Sequence, residues 1–410
     1  MGDLVEVAVT STASQKSVTS SIIIWDYKTG NNLRTYKTSE NVLPHCLSFI
    51  TKEYLIATDV ARPILRVWPT HNPNPLGAIL QTVLPGFATA IAIDQRGRFC
   101  LCGIADKVYV WELASGRLYA YGEQHYQKIT CIKFVNAGMD FLTAGEDGQV
   151  VLWSVQTLMS AKTKPKPRHV FSDHSMPVTD LYVGRGWPND RHCHAVSVSL
   201  DGTLNFFRLA RPALLFTVIF DSPLSSVTMN NTETLLLVGL ANGEIQGLSL
   251  REPPRAAKFH LSERDAERKF LGHTDRVNSL CVSKDDSTLI SGGNDHNIIL
   301  WNIATRQMMR TINRQAPVTN VFFRPVYKNM FAKSPELLIK LKDFQRNIDG
   351  ESPCIVPVWV TGSFKKPELR SQAISSGQER LREDIAILKR KNLTLYRFSV
   401  DKLLQDPSSS

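Results

Sequence analysis

A histidine, a hydroxyl and a carboxylate within reach of one another are the parts of acid-base chemistry, and this chain carries two such sets. His125, Thr143, Asp147 and Trp153 recur at identical intervals as His273, Ser291, Asp295 and Trp301. A second candidate is the pair His192 and His194 in "RHCHAV", which face one side of a predicted strand as the first two ligands of a metal site would. The phosphate-cradling G-x-x-x-x-G-K-[ST], the metalloprotease H-E-x-x-H and the hydrolase G-x-S-x-G are all missing. No further His pair or spaced Cys set of a known metal-site pattern accompanies His192 and His194 in the sequence, so polar residues at a strand edge are the better reading there. Recurrence favours a structural role for His125 and His273 over an acid-base one. The catalytic, cofactor-binding and metal sets are therefore all expected to be empty.

What must position these residues follows from the spacing. In "GGNDHNIILW" Asp295 stands six residues before Trp301, and the interval returns from Asp147 to Trp153, from Asp201 to Phe207 and from Asn242 to Leu248. Each is a polar turn followed by a short strand ending in a large apolar residue. Trp25, Trp68, Trp111 and Trp153 follow one another at intervals of 42 or 43 residues, the period of a four-stranded propeller blade. Runs such as "ITCIKFV", "FLTAGED" and "VVLWSV" are rich in β-branched and aromatic residues and bounded by Gly, Asp or Asn, which predicts short antiparallel strands.

With "LGHTDRV" and "LISGGNDHNIILWNI" the chain resembles the WD-repeat β-propeller family. The resemblance implies that His, Ser or Thr, Asp and Trp of one unit form a structural hydrogen-bond chain. Blade ends at Trp25, Trp68, Trp111, Trp153, Phe207, Leu248 and Trp301 give an all-β, seven-bladed propeller over residues 1–324. Phe207 and Leu248 cannot donate an indole N–H, and Pro69 follows Trp68, so three blades depart from the pattern. The insertions "AKTKPKPRH", "GRGWPNDRH" and "REPPRAAKFHLSERDAER" are expected on loops. The first unit lacks its innermost strand, and Pro317 to Phe323 is predicted to supply it, closing the ring and removing an open sheet edge.

Composition sets limits on function. At 410 residues and 43% hydrophobic, the chain can bury a sizeable core. Seven scattered cysteines without a C-x-x-C pair suit reduced thiols better than a disulfide framework. No apolar run approaches the roughly 18 residues that span a bilayer, so no membrane partner is expected. A net charge of +10 favours polyanionic surroundings, and "KTKPKPRH" or "LKRKN" could touch RNA phosphates non-specifically or simply be solvated surface.

Residues 325–367 read as an irregular connecting segment with room for an extra hairpin, and 368–410 as a helix with a short disordered end. Ile374, Leu381, Leu388 and Leu395 recur every seven residues, with Gln378, Ile385 and Asn392 at the intervening seam positions. An Asn among Leu in such a seam is a recurrent feature of parallel two-stranded coiled coils. A homodimer is predicted through Ile374, Leu381, Ile385, Leu388, Asn392 and Leu395, the alternative being an amphipathic helix docked on the propeller or a partner.

The stretch "HVFSDHSMPVTDL", with "KFLGHTDRVNSLCVS", "APVTN" and the terminal heptads, is similar to the WD-repeat subunits of the rixosome, a nuclear complex of pre-60S ribosome maturation. That resemblance implies a non-catalytic scaffold in nucleus, nucleolus and nucleoplasm. It would act in removal of an internal transcribed spacer from pre-rRNA. The implied partners are a proline-, glutamate- and leucine-rich helical-repeat subunit, the other rixosome subunits, the pre-60S particle and a midasin-type AAA ATPase. A substrate receptor of a cullin ubiquitin ligase and a chromatin-binding propeller stay open as alternatives.

Overall fold

The short β-branched runs pair as antiparallel strands, and in this computed structural model they form seven separate sheets. The structure describes residues 4–13, 20–38, 42–73, 82–135, 139–160, 165–184, 193–251, 256–261, 268–327 and 341–346. Numbered along the chain, the blades have as innermost strands Val318–Tyr327, Leu47–Ile50, Ala88–Ile93, Ile129–Val135, Val178–Val183, Leu224–Met229 and Val277–Val282. In each blade the third strand out carries the repeat's large apolar residue, from Trp25 in blade 1 to Trp301 in blade 7. Trp25, Trp68, Trp111, Trp153 and Trp301 are all fully buried.

Blade 1 closes the ring. Val318–Tyr327 pairs with Leu4–Thr12, Ala8 lying opposite Phe323, so the innermost strand of the first blade comes from the far end of the propeller sequence. It runs past the predicted Phe323 as far as Tyr327. The core is divided among the interfaces between neighbouring blades. Ile22, Ile24 and Tyr36 of blade 1 meet Leu55 and Trp68 of blade 2, and Ile290, Ile298 and Leu300 of blade 7 meet Ala8 and Trp25 of blade 1.

Two insertions do more than loop. Part of "REPPRAAKFHLSERDAER" forms the strand Lys258–His260, which adds parallel to the outer strand Ala213–Ile219 of blade 5. The chain leaves blade 6, lays Phe259 against the core shared by blades 5 and 6, and returns to complete blade 6 with Lys269–Phe270. That excursion covers an edge that would otherwise be open. Beside "AKTKPKPRH" a six-residue helix, Val155–Ser160, buries Val155, Leu158 and Met159. In the same insertion Arg168 pairs with Asp140 at 2.6 Å.

Within the connecting segment, residues 341–346 lie as a strap against the turn between the third and fourth strands of blade 3, and the rest of 328–367 lies outside the described residues. Phe344 stacks on Trp111 at 5.5 Å. The Trp111 indole donates to the Gln345 carbonyl at 2.8 Å, and the Gln345 amide donates to Gly116 O at 2.7 Å. The seam residues Ile374 to Leu395 and the "LKRKN" segment lie outside the described residues.

Candidate functional site

The two sequence-predicted sets are each brought together on one blade. In blade 4 the Trp153 indole donates to Thr143 Oγ1 at 3.0 Å, Thr143 Oγ1 lies 2.8 Å from His125 Nε2, and His125 Nδ1 lies 3.0 Å from Asp147. Blade 7 repeats the path from Trp301 to Ser291 (2.8 Å), Ser291 to His273 (2.7 Å) and His273 to Asp295 (3.0 Å). Because the hydroxyl accepts from the indole, its own proton is free for His Nε2, leaving Nδ1–H to donate to the carboxylate. In blade 7 the Ser291 hydroxyl also lies 3.3 Å from Ile299 O, a second acceptor for its proton.

Each carboxylate also ties two backbone segments. Asp147 accepts the amides of Tyr126 and Gln149, and Asp295 those of Thr274 and Asn297. Burial pushes both carboxyls up, but the facing histidine and the backbone amides outweigh it and hold them below the ordinary range. Burial moves His273 the other way, down from its usual value, and the Asp295 carboxylate only partly opposes this. The side chains of His125 and His273 are only 1% and 0% exposed, so no substrate reaches them. What the array can do is clamp the turn between strands two and three of a blade to the loop entering that blade.

Blade 5 holds a third array that the spacing did not disclose. His174 Nε2 lies 2.6 Å from Ser197 Oγ and accepts from Asn205 Nδ2 at 3.2 Å, while Nδ1 lies 3.3 Å from Asp201 and 2.9 Å from Thr203. Asn205, held by Thr217, supplies the donor that Phe207 lacks. The signal was present in "SDH" at residues 172–174, but the insertion "GRGWPNDRH" stretches the interval from His to Asp and hides the match. Among the described residues blades 1 and 2 have no such array. The Trp25 and Trp68 indole N–H groups are buried without a hydrogen-bond partner, whereas the strap at Gln345 supplies one for Trp111.

A second device joins the blades. Near the start of the innermost strands a bulge leaves one residue unpaired, and that residue donates to the innermost strand of the next blade. Thr89 donates to Ile129 O (2.5 Å), Thr130 to Val178 O (2.7 Å), Thr179 to Leu224 O (3.0 Å), Ser225 to Val277 O (2.6 Å) and Asn278 to Val318 O (2.8 Å). Asn320 carries the belt across the chain closure by donating to Leu43 O and accepting from the His45 amide, each at 2.8 Å. The Ile91 amide of blade 3 donates to His45 O at 2.9 Å, so hydrogen bonds link each blade to the next right round the ring.

The innermost strands surround a central cavity of about 450 Å³, whose wall includes His45, Lys133, Asp180, Tyr182, Asn320 and Arg324, and the belt residues Thr89, Thr130, Thr179, Ser225 and Asn278 line a further cavity of about 360 Å³ that also includes His45. The clamped loops open onto one face of the propeller. Phe87, Tyr126, Met176 and Leu271, in loops entering blades 3, 4, 5 and 7, and Val60 in a turn of blade 2 are all exposed there, Tyr126 by 78%. These are large apolar side chains that this face presents to solvent. His194 begins the second strand of blade 5 with its ring 5.2 Å from Phe206, and His192 lies outside the described residues. Among the described residues no helix is long and apolar enough to cross a membrane.

Comparison with known proteins agrees with this geometry. The model of the WD domain, G-beta repeat, matches residues 117–154 and 265–302, which contain the whole of the blade 4 and blade 7 arrays. The crystal structure of the computationally designed Ika8 protein superposes with a TM-score of 0.54 at 21% identity, covering 77% of this chain and 90% of that one, and supports the fold. Pre-rRNA-processing protein IPI3 of Yarrowia lipolytica is 29% identical over 316 residues, 72% of each chain. Human WD repeat-containing protein 18 is 31% identical over 334 residues, 80% of this chain and 76% of that one. The chain belongs to the WD repeat-containing protein 18 family, whose fold is the WD-repeat β-propeller.

Proposed function

We propose that this protein is a non-catalytic scaffold of ribosome biogenesis, acting in pre-60S maturation and in removal of an internal transcribed spacer from pre-rRNA. The observation that carries the reading is the likeness to a pre-rRNA-processing protein over 316 residues, far more than the two repeats that match the general WD model. The histidine arrays are closed off from solvent, which leaves the loop face and channel mouth as the working surfaces. Loops held by arrays and belt keep Phe87, Tyr126 and Met176 in fixed places before any partner arrives, so binding need not order them.

In this account the loop face receives a proline-, glutamate- and leucine-rich helical-repeat subunit, whose apolar side chains suit exposed aromatic and Met side chains. Other rixosome subunits, the pre-60S particle and a midasin-type AAA ATPase complete the assembly in nucleolus and nucleoplasm. The excess positive charge aids non-specific contact with rRNA. A homodimer through the seam from Ile374 to Leu395 would present two propellers to one assembly and raise avidity without new contacts.

Depletion of the protein tests the reading in cells. Precursors that retain the spacer between 5.8S and 28S rRNA should accumulate and free 60S subunits should fall on a sucrose gradient. Normal spacer removal and a normal 60S peak after depletion would overturn it.

A further inference from the structure

Three side chains from three blades converge in the throat of the channel. His45 comes from the loop entering blade 2, Cys131 from the innermost strand of blade 4 and Asp180 from that of blade 5. One donor atom from each lies within 4.8 Å of the other two. His45 Nε2 is 3.7 Å from Asp180 Oδ1, and Cys131 Sγ is 3.9 Å from the same oxygen.

The fold is bent to make this meeting. His45 has a φ of 59°, a left-handed backbone unusual for a residue with a side chain. Its amide is fixed by Asn320. Cys131 and Asp180 each follow directly on a bulge of the belt, at Thr130 and Thr179. Asp180 is held further, since Oδ2 accepts the Val227 amide at 3.0 Å and Oδ1 its neighbour's, Leu181, at 2.7 Å.

The triangle excludes one reading of a Cys, His and Asp together. In a nucleophile relay the thiol and the carboxylate sit on opposite nitrogens of the imidazole, which separates them by about 6 Å or more. Here they are 3.9 Å apart. Three ligands on one tetrahedral ion with bonds of 2.0–2.3 Å stand about 3.3–3.8 Å from one another. The two separations to Asp180 Oδ1, 3.7 and 3.9 Å, are close to that, and the third pair lies within 4.8 Å.

The geometry points to a site for a zinc-class divalent ion held by His45 Nε2, Cys131 Sγ and Asp180 Oδ1, with its fourth position open to the channel. Thiolate, imidazole and carboxylate together select a borderline metal over magnesium or calcium. On binding, the Cys131 thiol gives its proton to solvent, and thiolate and carboxylate neutralise the dication. The ion would tie blades 2, 4 and 5 across the channel. Lys133, two residues beyond Cys131 on the same strand, lines the same wall and favours an anion or hydroxide in the open position.

Cobalt(II) added alone to the chelator-treated full chain is the direct probe. One equivalent should bind, with a thiolate-to-cobalt charge-transfer band in the near ultraviolet and tetrahedral bands in the visible. Cys131→Ser should lose the charge-transfer band, and His45→Gln should weaken cobalt binding at least tenfold. Cys281→Ser, which alters another thiol of the channel, should keep both. Circular dichroism checks that each variant retains its strands, and the more exposed His45 provides the test should Cys131→Ser fail to fold. A folded wild-type chain that binds no stoichiometric cobalt, or a band unchanged in Cys131→Ser, overturns the site.

Discussion

Ser291 shows what one hydroxyl does in this molecule. It accepts the Trp301 indole and lies against His273 Nε2, both buried, so Ser291→Ala strands two polar groups at once. An unpaired buried polar group costs about 1–3 kcal/mol, and the variant should lose stability on that scale in urea unfolding. The charges of the arrays set a pH dependence. Asp147, Asp201 and Asp295 are all held below the ordinary carboxylate value of 3.8, and His273 below 6.5. A group depressed in the folded state stabilises fully above its unfolded value and loses that contribution as pH falls through the folded one. Unfolding midpoints should therefore begin to drop below about pH 6.5 through His273 and fall further below the carboxylate value. A midpoint that rises on acidification through this range would contradict the arrays.

Among elements, the strap over blade 3 makes a separate claim. Phe344 is buried against Trp111, and truncating a buried Phe costs about 3–5 kcal/mol in a core that cannot relax. A strap can detach, which caps the loss, so Phe344→Ala should destabilise by up to about 3 kcal/mol. Trp111 fluorescence should shift to the red as its indole meets water. The strap also marks what the sequence could disclose. The Trp spacing and the Asp turns revealed the blades because each blade repeats them locally. Residues 325–367 carry no such repeat, and the partner of Phe344 is an indole in a distant blade. The belt was equally hidden, for Thr89, Thr130, Thr179, Ser225 and Asn278 are ordinary residues whose role depends on a bulge. His174 was concealed by an insertion, and His45, Cys131 and Asp180 by lying on three different blades.

At the scale of the whole molecule, closure by Val318–Tyr327 makes the propeller one rigid platform whose blades are held by core and belt alike. The proposed homodimer adds a second copy of that platform. Leu388→Asp with Leu395→Asp should bring the light-scattering mass to that of a monomer while the strand signal in circular dichroism stays. An unchanged mass would remove the coiled coil from the account. The scaffold reading itself is tested most directly by affinity purification of the tagged chain from nuclear extract, with and without RNase, followed by protein identification. A helical-repeat subunit and large-subunit assembly factors should be recovered, with the helical-repeat subunit surviving RNase. Recovery of a cullin adaptor, or of histones without assembly factors, would contradict it.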